Sequence, residues 1–177
     1  MRKLNQILVS IVFIILIYLK FISFAQTKEL ISKNVSVIDG DTILLDNYKI
    51  RFSGIDAPES YFRGKRQVCL QNEKKIFCGE EAKKKLIQKI GKKIVKCIPE
   101  TDRDIYNRIL AECFIKSESL SVFMVKNGYA FDYPRYSNKK YSEFQKFAKQ
   151  NKLGLWNMTF EYPWIWRKKK QINYNFL

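Results

Sequence analysis

Histidine is missing from all 177 residues, and its absence removes a good part of metal chemistry. Without imidazole, zinc held by a mixed cysteine and histidine set is excluded. The cysteines Cys69, Cys78, Cys97 and Cys113 contain no Cys-x-x-Cys pair, so a four-cysteine metal site is a poor account of them. Internal repeats and low-complexity segments are lacking too, which removes repeat architectures. Acidic residues are scarce against basic ones, 17 to 33, for a formal charge of +16. That excess attracts polyanions but does not choose between nucleic acid, an anionic membrane surface and an acidic cell wall. Part of it, such as Lys83, Lys84 and Lys85, reads as the solvated face of a helix.

What is present suits one domain: 46% of residues are hydrophobic, enough for a single core. The first stretch differs in kind. Met1-Arg2-Lys3 is basic, Ile7 to Leu19 is almost wholly apolar, and Ser23-Phe24-Ala25 puts small residues where a signal peptidase reads them, ahead of Gln26. The expectation is a signal peptide over 1–25, with an uncleaved membrane anchor as the alternative; in both cases the folded part lies outside the cytoplasm, secreted or periplasmic, or anchored and facing outward. In that compartment four cysteines favour disulfides. Cys97 and Cys113 fall in two apolar runs, Lys93 to Ile98 and Ile109 to Ile115, that a hairpin would set face to face, while Cys69 and Cys78 flank a short loop. The expected pairs are Cys69 with Cys78 and Cys97 with Cys113.

Strand-like alternation over Lys33 to Ile38, Thr42 to Leu45 and Tyr48 to Ser53 predicts a meander, with Ile50 and Phe52 inward and Arg51 on the opposite face. Residues 59–77 read as a loop. A helix follows, with Glu80 and Glu81 in its first turn, an apolar stripe of Ala82, Leu86, Ile87 and Ile90, and Gly91 as its stop. A hairpin from about Lys93 to Ile115 carries Asp102 to Arg108 near its turn. Ser119 caps a short helix, and a last helix runs from about Lys139 to Lys152, carries Tyr141, Phe144, Phe147 and Ala148, and ends near Gly154 before Trp156. The layout is α+β. Beyond it lies a basic aromatic tail over 161–177.

Three short stretches carry the chemistry: Asp39-Gly40-Asp41-Thr42, Arg51 through Asp56-Ala57-Pro58-Glu59, and Asp104-Ile105-Tyr106-Asn107-Arg108. Carboxylates that can hold a hard cation, two guanidinium groups and a base for water are what cleavage of a phosphodiester requires, because charge grows on its non-bridging oxygens in the transition state. An oxygen-only set of Asp41, Asp56 and the Thr42 carbonyl would suit Ca2+. Asp39 serves the turn.

On these residues the segment from about Val35 to Trp156 resembles the staphylococcal nuclease, or thermonuclease, family. The resemblance implies a five-stranded Greek-key barrel of the oligonucleotide-binding (OB) type with three helices, filling the domain 26–160. It implies metal at Asp41, Thr42 and Asp56, with catalysis by Arg51, Glu59 and Arg108: Glu59 activates water while the arginines hold the scissile phosphate. It further implies calcium-dependent hydrolysis of DNA or RNA at the 5′ oxygen, leaving 3′-phosphates. Tyr106, and approximately Tyr133 and Tyr136, match positions where substrate stacks; packing at the last helix is the other role for the latter two. Two departures stand out. Asn107 takes the place of the usual glycine, with asparagine next best in a left-handed turn, and Ile105 replaces a lysine that meets a terminal phosphate.

Two other classes of function compete. One is a nucleic-acid-binding module without catalysis, which intact Asp41, Arg51, Asp56, Glu59 and Arg108 argue against. The other is a membrane-tethered surface protein whose tail, Trp164 to Lys170, touches anionic headgroups or else packs its tryptophans on the domain. No protein partner is inferred, and the expected state is a monomer.

Overall fold

Apolar alternation does what period-two patterning dictates: Ile43, Leu45, Ile50 and Phe52 are all buried, and Arg51 emerges between the last two on the other face. These residues belong to a computed structural model that describes residues 29–100 and 103–174, together with Ile11. The expected signal or anchor segment, 1–25, lies outside the described residues apart from Ile11, as does Asp102. Among the described residues no helix is long and apolar enough to cross a membrane.

The strands are β1 (Leu30–Ser32), β2 (Val35–Asp39), β3 (Thr42–Leu45), β4 (Tyr48–Phe52), β5 (Ile55–Asp56), β6 (Val68–Gln71), β7 (Lys74–Phe77), β8 (Val95–Pro99), β9 (Ile109–Ile115), β10 (Glu118–Ser119) and β11 (Phe131–Asp132). The helices are α1 (Cys78–Ile90), α2 (Leu120–Lys126), α3 (Pro134–Ser137), α4 (Ser142–Gln150) and α5 (Pro163–Tyr174), with a 3₁₀ turn at Gly154–Asn157. The mixed α+β class is as expected. One seven-stranded sheet runs β1-β8-β9-β4-β3-β2, with β10 on β9, and β5·β11 and β6·β7 form separate pairs. Parallel pairing of β4 with β9 sets Arg51 opposite Leu110 and brings the start of β9 beside the arginine-bearing strand.

Several expectations change. Residues 59–77 are not a plain loop: β6 and β7 form a hairpin whose turn residues, Asn72 and Glu73, both have positive φ (47° and 65°). Such a two-residue turn matches the strand twist, but without a glycine it carries no turn signature. Ile87, part of the expected apolar stripe, is 49% exposed, since the core takes Ala82, Leu86 and Ile90 from α1; from α4 it takes Ala148, while Phe147 is 44% exposed. The described helices exceed three, because α3 inserts before α4 and α5 follows it. Both disulfides pair as expected, Cys69–Cys78 and Cys97–Cys113; the latter two stand directly opposite in the β8·β9 register. Ser119 caps α2 by accepting from the Val122 N–H at 3.0 Å.

Two apolar clusters result. The larger lies between the sheet and helices α1 and α2, where each fully buried Ile, Leu or Phe contributes about 1.5–3 kcal/mol. The smaller gathers Phe131, Leu155 and the Cys69–Cys78 disulfide with Trp156, Phe160, Tyr162 and Trp164. It holds the C-terminal segment against the domain, so the tryptophans are used for packing.

Candidate active site

Three stretches distant in sequence meet at one face. Gly40, in the β2–β3 turn, permits this: a Cβ there would stand 2.8 Å from the Cβ atoms of both Ala57 and Ala82. Gly79 does the same for the Glu59 loop, since a Cβ there would come within 2.0 Å of the Glu59 carbonyl oxygen. Asp39, expected to serve its own turn, instead accepts from the Ser60 N–H at 3.1 Å and from the Ser60 hydroxyl. The Glu59 loop is thereby tied to β2 on one side and α1 on the other.

Arg51 sits among the carboxylates. Its Nη1 pairs with Asp41 Oδ1, and its Nη2 donates to Asp56 Oδ1 at 2.7 Å and to the Ile55 carbonyl at 3.1 Å. Asp41 also accepts from the Ala57 N–H (2.6 Å) and the Thr42 hydroxyl (2.9 Å). Thr42 meets Asp41 through that hydroxyl. The Phe52 N–H donates to the Asp41 carbonyl, which makes Thr42 and Arg51 a non-hydrogen-bonded pair and turns the Thr42 carbonyl toward β2.

A second guanidinium, from α5, completes the cluster. Arg167 Nη1 donates to Glu59 Oε1 at 2.6 Å and to Asp56 Oδ1 at 3.1 Å, and its Nη2 donates to Asp56 Oδ2 at 2.8 Å. Asp41, Asp56 and Glu59 therefore share Arg51 and Arg167, a formal excess of one negative charge in an enclosed place. Burial pushes the Glu59 carboxyl up to about 7, with the Asp41 charge adding to the rise and Arg167 opposing it. Burial also raises the Asp56 carboxyl, against the pull of Arg51 and Arg167. At Asp41 burial is outweighed by Arg51 and the hydrogen bonds it receives, so that carboxyl stays low.

Arg108 makes its contacts elsewhere. Its Nε and Nη2 engage Asp104 Oδ2 at 2.8 and 2.7 Å, and its guanidinium lies 5.2 Å from the centre of the Tyr106 ring. The loop is tight because Asn107 takes φ 59°, the left-handed conformation anticipated for it. Tyr106 and Ile105 are exposed at its tip. Tyr133 feels the charges of Asp56 and Arg167, and one face of its ring stacks on Trp164 at 4.9 Å and 4°. Tyr136 meets Tyr133 edge to face and is 63% exposed.

Sequence reasoning missed two residues. Fully buried Gln67 accepts from the Glu59 N–H (3.1 Å) and donates to the Glu161 carbonyl (2.8 Å), joining the Glu59 loop to the C-terminal segment. Arg167 was absorbed into a basic tail; its one distinguishing signal is the pair of tryptophans at 164 and 166, apolar anchors beside a single arginine.

The site suits a hard divalent ion in donor type. Asp41 and Asp56 are buried oxygen donors separated by one guanidinium, while among the described residues no group of three His, Cys, Asp or Glu side chains is arranged to hold a metal. An ion there would keep water in its remaining positions.

The chain is similar to known nucleases. A family model described as staphylococcal nuclease homologue matches residues 49–158. Endonuclease YhcR of Bacillus subtilis is 33% identical over 152 residues, covering 76% of this chain and 12% of that protein. Staphylococcal-like nuclease CAN1 of Arabidopsis thaliana is 28% identical over 151 residues, 83% of this chain and 42% of that protein. An uncharacterized endonuclease of Haemophilus influenzae is 31% identical over 150 residues, 80% of this chain and 75% of that protein. The chain thus spans less than half the length of each of the first two relatives.

Proposed function

Because this chain belongs to the family of staphylococcal nuclease homologues, we propose that it is a calcium-dependent nuclease cleaving phosphodiester bonds of DNA or RNA. The observation that carries this reading is the convergence of Asp41 and Asp56 on Arg51, with Glu59 tied to Asp56 through Arg167. Relatives named as endonucleases and nucleases point the same way. Strands β2, β3, β4, β8 and β9 supply the five strands of an OB-type barrel in this reading.

Asp41 and Asp56 would hold the ion, whose contribution when bound is to neutralise charge on a phosphate oxygen. The residues of the chain do the rest. Arg51, turning from carboxylates to substrate, meets the phosphate with a planar fork of donors, and Arg108 joins it from the start of β9. Glu59 takes the proton of the attacking water, for which a carboxyl near 7 is well matched to neutral pH. The 5′ oxygen leaves and the product carries a 3′-phosphate. Tyr106 and Tyr136 offer exposed rings to unpaired bases, a preference for single or frayed strands. The disulfides suit an exported protein, secreted or periplasmic.

Digestion of plasmid DNA with calcium, and again with chelator, tests the proposal. Cutting should require the cation and fall about a hundredfold or more in Glu59→Ala and in Arg108→Ala. Unchanged cutting in both variants rejects the mechanism.

A further inference from the structure

Arg167 lies beyond the segment matched by the family model, 49–158, yet it contacts two of the three carboxylates at the site. Its position is built from both sides along the helix. Trp166 is 7% exposed and meets Phe62 edge to face at 6.1 Å. Trp164 stacks between Tyr133 and Tyr162, at 4.9 and 4.6 Å, and touches Phe131 at its edge. Gln67 then joins the Glu161 carbonyl to the Glu59 N–H, so helix and loop share one buried side chain. An arginine held this way is part of the frame. Displacing it would expose two tryptophans and leave Asp56, fully buried, short of two charge-assisted hydrogen bonds.

We propose that Arg167 is a positioning residue: its guanidinium, delivered by α5, spans Asp56 and Glu59 and sets where the water-activating carboxylate stands. The proposal rests on the nuclease reading. Geometry supports positioning over substrate binding, because both Nη atoms engage carboxylate oxygens while the packed Trp164 and Trp166 on either side fix the helix that carries them. One nitrogen bridges the two side chains while its twin holds the far oxygen of Asp56, so Glu59 is oriented against a fully buried neighbour. Two carboxylates that repel one another are thereby kept together, and Glu59 is spared the freedom to swing to solvent. Removing the bridge should cost correct orientation in the reacting state more than it costs substrate binding. Lysine keeps the charge but has no planar fork, so it cannot serve both partners in the same geometry.

The test compares wild type, Arg167→Met, Arg167→Lys, Glu59→Gln and the Glu59→Gln/Arg167→Met double variant in calcium, with kcat and KM measured on a single-stranded oligonucleotide. Oligonucleotide affinity is measured separately in chelator, and folding is followed by circular dichroism. Arg167→Met should lower kcat about ten- to a hundredfold with KM changed by less than about threefold, and Arg167→Lys should recover part of the loss. In the Glu59→Gln background the second change should cost less than about twofold, since the group being positioned is already gone. If Arg167→Met does not fold, Arg167→Lys carries the same comparison, and a kcat equal to wild type overturns the proposal. A kcat above wild type makes Arg167 an inhibitory plug, weakened oligonucleotide binding with intact kcat makes it a substrate contact, and an equal loss in the Glu59→Gln background makes its role merely structural; each overturns it. Wild type that does not cut removes the nuclease reading and this inference with it, whereas cutting that is indifferent to Arg167 removes this inference alone.

Discussion

Two enclosed carboxylate sites stand out among the described residues, and their charge balance sets them apart. At Glu112 one buried carboxylate is met by Lys140 at 2.7 Å and by the hydroxyls of Ser119 and Tyr141, so its charge has one cation and two neutral donors, while the exposed Glu100 meets the same lysine at 3.4 Å from the solvent side. Tyr141 is buried there, and burial, reinforced by Glu112, raises its phenol above the usual range. At the other face three carboxylates share two arginines. The first cluster is complete in itself and joins β9 to the segments carrying α2 and α4. The second carries a surplus of negative charge and groups that a cation or a phosphate would re-partner. A buried ionic cluster left unbalanced costs stability, and a site meant for an outside charge has reason to bear that cost.

The comparison breaks most sharply at Arg51. Arg51→Met leaves Asp41 and Asp56 buried without their shared counter-charge, and in chelator it should lower the free energy of unfolding by about 4 kcal/mol. Calcium should restore part of that loss in a urea titration, and turnover should remain down about a hundredfold. Glu112→Ala should cost about 3 kcal/mol, with no recovery from calcium and with kcat per folded molecule unchanged. Restoration by calcium at Glu112 would erase the distinction between the clusters.

Glu59→Gln sharpens the contrast with the opposite sign. The folded-state carboxyl sits at about 7 against an ordinary 4.5, so the native protein binds a proton that the unfolded chain has released. Stability is therefore lost as pH rises from about 4.5 through 7. Glutamine does not titrate, so in chelator the variant should match wild type at pH 4 and be about 2 kcal/mol more stable at pH 8. A constant difference across that range would contradict the strained carboxylate. The smallest effect belongs to Ser119→Ala, which loses the cap of α2 and one donor to Glu112: about 1 kcal/mol by thermal unfolding, with activity unchanged.

Much of the local structure was legible. Ile43, Leu45, Ile50 and Phe52 announce their strands because burial of one face imposes alternation, and Arg51 follows as the residue left on the other face. Cys97 and Cys113 could be paired because two apolar runs around a polar turn form a hairpin with a defined register. Asn107 was readable as a left-handed turn from side-chain sterics alone. The β6·β7 hairpin was not, since its turn residues Asn72 and Glu73 lack glycine and its apolar residues Val68, Leu70 and Phe77 are exposed. Nor was the route of the Thr42 carbonyl, which depends on which neighbouring strand takes each hydrogen bond.

By itself the sequence determined the class of chemistry: oxygen donors without imidazole, arginines at fixed distances from carboxylates, cysteines without metal spacing. These are properties of residue type and short separation, where covalent geometry limits what neighbours can do. Tertiary structure alone decided that Arg167 reaches Asp56 and Glu59 from more than a hundred residues away and that Gln67 links loop to helix. Such contacts follow from how an aromatic cluster seats a helix against a sheet, and packing of that kind is a property of the whole folded chain, with no trace in local pattern.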